Sequence, residues 1–177
     1  MKSMKVLAWL ACGLGAVACG GSERDAESSS LSRPKPDARE AVRAGKLVVN
    51  PQLQQVPARD KSALAFDIQA FGFVFVCERV DGQDYCEDVR DYPDTYYNWN
   101  GTVGVWTYEY GTASTYFSTF ANSAVYQDET KPLYDTNNMM VGLWRHYTLQ
   151  NVTSGSFVSQ VTSAFNNQNW SDTLYIY

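Results

Sequence analysis

The sequence has few of the residues on which common enzyme chemistry depends. Histidine occurs once, at position 146, and cysteine occurs four times in 177 residues. The nucleophile elbow GxSxG and the zinc-protease motif HExxH are both missing from the sequence. We therefore expect no metal and no cofactor, and the sequence favours a binding or structural protein over an enzyme.

Aromatic residues are missing from one long stretch of the chain. Residues 20–62 contain none, whereas every Tyr, every Phe and four of the five Trp lie in 63–177. This contrast predicts a polar, disordered tether over 19–62 and one aromatic-rich domain over 63–177, of about 115 residues. Within the tether, residues 38–43 have a helical pattern that ends at Gly45, although a helix this short is marginal in isolation.

Basic residues are scarce in the predicted domain. Its four cations, Arg79, Arg90, Lys131 and Arg145, are opposed by thirteen acids, which gives the domain a formal charge of −9. Because nucleic-acid binding depends on clustered Lys and Arg, the sequence argues against a nucleic-acid partner.

The N-terminal segment has the pattern of an export signal. Lys2 and Lys5 precede an apolar run over 6–17, which is too short to cross a membrane as a stable helix. The run ends in Ala16-Val17-Ala18-Cys19, followed by Gly20, and here it resembles the lipobox of bacterial lipoproteins.

This resemblance implies a signal peptide over 1–18 and a mature chain whose Cys19 is acylated, palmitate included. More than one acyl chain gives a durable membrane anchor. In the family, Gly20 in place of Asp favours the outer membrane, so we expect a lipid-anchored outer-membrane protein, on either of its faces. An ordinary secretory peptide cleaved after Ala18 is the alternative.

A β-hairpin is predicted around Asp81-Gly82, a two-residue signal for a type I′ turn. Before the turn, one face carries Phe71, Phe73, Phe75 and Cys77 and the other carries Val74 and Val76, as in a buried strand. Folding the chain about this turn places Cys77 opposite Cys86, within reach of a disulfide bond in an oxidising compartment. A redox or metal-binding thiol pair is disfavoured, since the spacing is not CxxC.

The remaining pattern predicts a mainly antiparallel β domain of the sandwich type. Residues 102–110, 139–149 and 173–177 resemble strands. Apolar residues in 116–125 and 157–165 recur at helical spacing, so we expect one or two short helices, with an α+β domain as the alternative.

One loop combines the residue types that often form binding sites. The side chains are those of Tyr96, Tyr97, Asn98, Trp99 and Asn100. Tyr and Trp stack on sugar rings and dominate protein interfaces, while amides bind hydroxyl groups. We therefore predict that this loop contacts an envelope protein or a polysaccharide, whereas Trp106, Tyr108 and Tyr110 pack in the core.

Two further sites are considered. His146, with an acid such as Glu109 and with Arg145 to stabilise an anion, forms the basis of a second hypothesis, a lipid-tethered hydrolase or toxin-like effector. Asp88, Asp91 and Asp94 offer oxygen ligands for calcium, but their spacing fits a solvated strand face better.

Overall fold

The structure is a computed structural model that describes residues 34–55 and 67–177, all of which belong to one compact unit. The predicted signal peptide, Cys19 and the tether residues 19–33 and 56–62 lie outside the described residues. In the part of the chain that is described, no helix is both long and apolar enough to cross a membrane.

The described unit contains one short helix and ten strands. In chain order they are α1 (Ala38–Arg43), β1 (Val48–Val49), β2 (Ala70–Val80), β3 (Gln83–Asp88), β4 (Gly101–Tyr110), β5 (Ala113–Phe120), β6 (Ser123–Val125), β7 (Glu129–Tyr134), β8 (Met140–Val152), β9 (Gly155–Ser163) and β10 (Asn169–Ile176). Strands account for 60% of the structure and helix for 5%, which confirms the mainly β prediction.

The strands form two antiparallel sheets. One has six strands in the order β1-β3-β2-β4-β8-β7, and the other has four in the order β10-β9-β5-β6. One of the two sheets is curled. The main core contains Phe73, Val105 and Tyr147 from the first sheet together with Phe157 and Leu174 from the second. The predicted sandwich-like arrangement is therefore confirmed.

The predicted hairpin is present, and its register is the expected one. Asp81 and Gly82 have φ values of 51° and 79°, as a type I′ turn requires. Val80 pairs with Gln83, and Cys77 pairs with Cys86. The two cysteines form a disulfide bond, with their Cα atoms 4.1 Å apart.

Two segments predicted as helices are strands instead. Residues 116–125 lie in β5 and β6, and residues 157–165 lie mainly in β9. Buried residues alternate along β9, and the buried hydroxyls of Ser118 and Ser159 lie 2.9 Å apart across β5 and β9. Ser and Thr are weak helix formers, and cross-strand pairing outweighs the helical spacing of the apolar residues.

Residues 34–55 are part of the folded unit, which corrects the boundary of the predicted tether. Ala38 and Ala41 of α1 and Leu47 are buried in the main core, and β1 pairs with β3. The predicted helix over 38–43 is confirmed, and the Asp37 side chain caps its first turn. A few small apolar residues and backbone hydrogen bonds attach this segment to the domain. Its overall composition is polar, so composition alone did not predict that the segment packs there.

We predict that the disulfide contributes measurably to stability. Replacing both cysteines by Ala should lower the free energy of unfolding by about 2–3 kcal/mol, since a loop of about 10 residues is no longer closed in the unfolded chain. Urea denaturation measures the difference. A reducing agent should destabilise the natural protein but not the double variant, and equal stability of the two proteins would contradict the prediction.

Candidate functional site

Charged side chains are unevenly distributed over the two sheets. Residues 111–127 and 147–171, which supply most of the four-stranded sheet, contain no Asp, Glu, Lys, Arg or His. Charged side chains line three clefts of the described residues: the tyrosine cleft around Tyr96, the tryptophan cleft around Trp170 and the histidine cleft around His146. The lining of the histidine cleft is Cys77, Arg79, Asp84, Thr102, Gly104, Trp106, Asp128, Glu129, Lys131, His146 and Thr148. Each of the three clefts therefore offers ionic groups to a ligand.

The tyrosine cleft lies between the N-terminal segment and the chain from the end of β3 to residue 97. Its volume is about 410 Å³, within the usual range for ligand sites. Its lining combines three tyrosines, two lysines, three carboxylates and an apolar floor: Lys35, Lys46, Leu47, Val48, Cys86, Glu87, Asp88, Tyr92, Asp94, Tyr96 and Tyr97.

The side chain of Glu87 fixes the wall of the tyrosine cleft. This residue is only 9% exposed, and its two carboxylate oxygens accept hydrogen bonds from the backbone N–H groups of Tyr96 and Tyr97. The indole N–H of Trp99 donates a third hydrogen bond, at 3.0 Å. Burial raises the pKa of Glu87 above its usual value, while these donors act in the opposite direction. The carboxylate thereby holds three successive parts of the loop.

Trp99 is not a contact residue, which corrects one part of the predicted loop. It is 1% exposed and packs in the main core. Its ring therefore cannot stack on a ligand in this conformation. The loop packs Trp99 inward because its apolar ring supplies a large buried area and its N–H finds an acceptor in Glu87.

The two predicted asparagines hold the N-terminal segment and do not line the cleft. The backbone N–H of Asn98 donates to the carbonyl of Pro36, and its own carbonyl accepts from Ala38. The carbonyl of Asn100 lies 3.5 Å from a guanidinium nitrogen of Arg39. Of the five predicted residues, only Tyr96 and Tyr97 therefore line the cleft.

Tyr96 and Tyr97 present aromatic surface at the cleft. Their rings meet edge to face, with centroids 5.0 Å apart. Tyr96 is 66% exposed, whereas Tyr97 is half-buried against the main core. An exposed ring on a fixed backbone is suited to stacking, because the loop does not have to become ordered on binding.

Lys35 joins the predicted tether to the site, and the sequence pattern did not reveal it. Its ammonium group lies 2.7 Å from Asp94 Oδ2 and 3.8 Å from the centroid of the Tyr177 ring. It also donates to the carbonyl of Thr95. Because this lysine is distant in sequence from the loop, only the fold brings it there, and no local motif marks it.

His146 lies in the histidine cleft, with a partner different from the predicted one. Its Nδ1 is 2.6 Å from Asp128 Oδ1, and its ring lies 4.7 Å from that of Trp106. Hydrogen bonds from Thr148 and His146 outweigh burial and lower the pKa of Asp128. Gly104 makes room for the imidazole, because a Cβ atom there would lie 2.6 Å from Nε2.

Glu109, the predicted acid, lies on the opposite face of the six-stranded sheet from His146. It forms a buried ion pair with Arg145, whose Nη2 is 3.1 Å from Glu109 Oε1. The guanidinium also lies 3.3 Å from the centroid of the Tyr116 ring, between the two sheets. Adjacent residues of a strand face opposite ways, so Arg145 and His146 cannot serve one site.

The hydroxyl groups of the histidine cleft come from Thr102 and Thr148. Among the described residues that line it there is no serine, and its one cysteine, Cys77, is in the disulfide. The hypothesis of a hydrolase that uses His146 stays a prediction, in which Asp128 and not Glu109 would be the acid beside the imidazole.

Two of the three aspartates considered for calcium pair with cations. Asp88 accepts hydrogen bonds from the guanidinium of Arg90, and Asp94 pairs with Lys35. Within residues 34–55 and 67–177, no three His, Cys, Asp or Glu side chains are grouped so as to hold a metal ion.

The fold and clefts define a mainly antiparallel β domain with open, charged and aromatic surface sites. The chain belongs to the family described as a domain of unknown function (DUF4879), whose family model matches residues 63–176. No curated protein and no solved structure matches the chain. The match begins at the predicted start of the aromatic-rich domain, so α1 and β1 lie outside it.

We predict that the Glu87 carboxylate stabilises the loop. Glu87→Gln should lower the free energy of unfolding by about 1–3 kcal/mol, because the new amide group offers one acceptor atom to three N–H donors. Urea denaturation measures the change, with Glu129→Gln at the exposed edge strand β7 as the control. A Glu87→Gln protein as stable as this control would show that the three contacts contribute little.

Proposed function

We propose that this protein is a membrane-anchored envelope lipoprotein whose β domain binds a polysaccharide in the tyrosine cleft. The supporting observation is the exposed Tyr96 ring on a backbone that the buried Glu87 fixes, next to ionic groups of both signs. Sugars present an apolar ring face and a rim of hydroxyl groups. Tyrosine rings match the first, and carboxylate and ammonium groups match the second.

The shape and charge of the site favour a glycan over the other partners. A concave cleft of about 410 Å³ suits a flexible chain or a small ligand better than a broad protein surface. The excess of acids over bases in residues 63–177 disfavours anionic partners such as nucleic acids. An envelope protein that inserts a side chain into the cleft is the alternative partner.

The proposed anchor is independent of the cleft and depends on the N-terminal sequence. Ala16-Val17-Ala18-Cys19 supports cleavage before Cys19 and its acylation, and Gly20 supports the outer membrane as the location. The stretch between Cys19 and residue 34 would then separate the domain from the membrane.

Tyr96→Ala should weaken glycan binding about tenfold without loss of stability, since an exposed ring contributes contact area and not core packing. The full chain in detergent is titrated with chitohexaose by calorimetry, and peptidoglycan pull-down serves as a second readout. Tyr126→Ala is the matched control, because Tyr126 is 85% exposed and does not line the cleft.

Equal affinity of the Tyr96→Ala protein and the natural protein would contradict the assignment of the site. If neither chitohexaose nor peptidoglycan binds, while cross-linking in intact envelopes joins the cleft residues to one protein, the partner is that protein and the glycan proposal is wrong.

A further inference from the structure

The tryptophan cleft adjoins the tyrosine cleft along the surface of the domain. Its volume is about 570 Å³, and it lies between the start of β2, the turn after β3 and the start of β10. Its lining includes aromatic, acidic and small residues: Phe71, Gly72, Phe73, Val89, Arg90, Asp91, Tyr92, Pro93, Tyr108, Trp170, Ser171, Asp172 and Thr173.

Tyr92 belongs to both clefts and is 67% exposed. A tight turn holds its backbone, since its N–H donates to the carbonyl of Val89 at 3.2 Å and Asp91 has a φ of 66°. Pro93 follows and removes further backbone freedom. Tyr92 therefore lies at the boundary of the two clefts and lines both of them.

A salt bridge also crosses the boundary. Asp88 lines the tyrosine cleft and Arg90 lines the tryptophan cleft, and the guanidinium Nε donates to Asp88 Oδ1 at 2.9 Å. The backbone N–H of Arg90 donates to the same oxygen, at 3.1 Å. The two clefts are thus joined by polar groups as well as by Tyr92.

The tryptophan cleft repeats the chemistry of the tyrosine cleft. Trp170 and Tyr108 supply rings, and Asp91 and Asp172 supply carboxylates. Asp172 is held in place, because its Oδ2 accepts a hydrogen bond from the N–H of Phe73 at 3.2 Å. Burial, together with the charges of Asp91 and Asp172, raises the pKa of Tyr108, so its hydroxyl remains a donor at neutral pH.

Gly72 keeps this cleft open. A Cβ atom at this position would lie 3.1 Å from Asp172 Oδ2 and 3.5 Å from a ring carbon of Tyr108. A side chain at this position would therefore press on the Asp172 carboxylate, whereas its contact with Tyr108 would be an ordinary van der Waals contact.

We propose that the tyrosine and tryptophan clefts are successive subsites of one groove, which binds a linear polysaccharide that passes over Tyr92. This inference rests on the proposed function and adds to it the shape and minimum length of the ligand. A chain of sugars is favoured over a single sugar, because aromatic and carboxylate groups line both clefts and Tyr92 belongs to both.

The test is the dependence of affinity on ligand length. Chito-oligosaccharides of two to six sugars are titrated into the full chain in detergent by calorimetry. Binding across both clefts should make the longest ligand about tenfold or more tighter than the shortest, as contacts are added in the second cleft. Tyr108→Phe should weaken the longest ligand about fivefold and leave the shortest unchanged, because one hydrogen bond is lost.

Trp170→Ala should weaken binding of the longest ligand more than Tyr108→Phe does and leave the shortest ligand unchanged. Its melting temperature is measured first to establish that the variant is folded. Tyr108→Phe removes a single oxygen atom and keeps the test valid if Trp170→Ala does not fold. Tyr96→Ala, in contrast, should weaken ligands of every length.

The groove would be overturned if ligands of all lengths bound with equal affinity and Tyr108→Phe did not change that affinity. If Tyr96→Ala still weakened binding, the tyrosine cleft would remain as a single site. Absence of binding at every length, together with no retention on peptidoglycan, would overturn the groove and the proposed function together.

Discussion

A single buried carboxylate, that of Glu87, connects the disulfide-linked hairpin with the loop that carries the tyrosines. Glu87 follows Cys86 and pairs in register with Val76, so the hairpin fixes where its oxygens lie. From there it accepts hydrogen bonds from two backbone groups and from Trp99, whose burial anchors the loop in the main core. The exposed position of Tyr96 follows from these contacts. The cleft is therefore a consequence of how the core is built and not a feature added to its surface.

The hairpin could be predicted because its information is local. The Asp81-Gly82 turn sets the register, and the parity of Cys77 and Cys86 then decides their pairing. The segments 116–125 and 157–165 could not be predicted in this way, because spacing alone does not distinguish a helix from a strand with polar residues facing inward. The buried Ser118–Ser159 pair and the Tyr116 ring over Arg145 satisfy those inward positions, and both contacts join residues far apart in sequence.

The site could be predicted only in part for the same reason. The stretch rich in Tyr and Asn was visible in the sequence, and Tyr96 and Tyr97 do line the cleft. The sequence did not show which aromatic ring of this stretch faces inward. Trp99 is buried with its N–H bonded to Glu87, which lies twelve residues earlier in the chain. Lys35 and Lys46 come from a segment whose composition predicted disorder, although its small residues pack on the domain. Composition describes a segment in isolation, whereas the site depends on what that segment contacts.

The central claim, that a glycan binds between the N-terminal segment and the tyrosine loop, is tested most directly by NMR titration with chitohexaose. The backbone amide signals of Lys46, Val48, Tyr96 and Tyr97 should shift together and saturate at one dissociation constant. These residues line one cleft although about fifty positions separate the two pairs in sequence. Shifts confined to strands β5, β6 and β9, which carry no charged side chain, or to the histidine cleft around His146, would contradict the account.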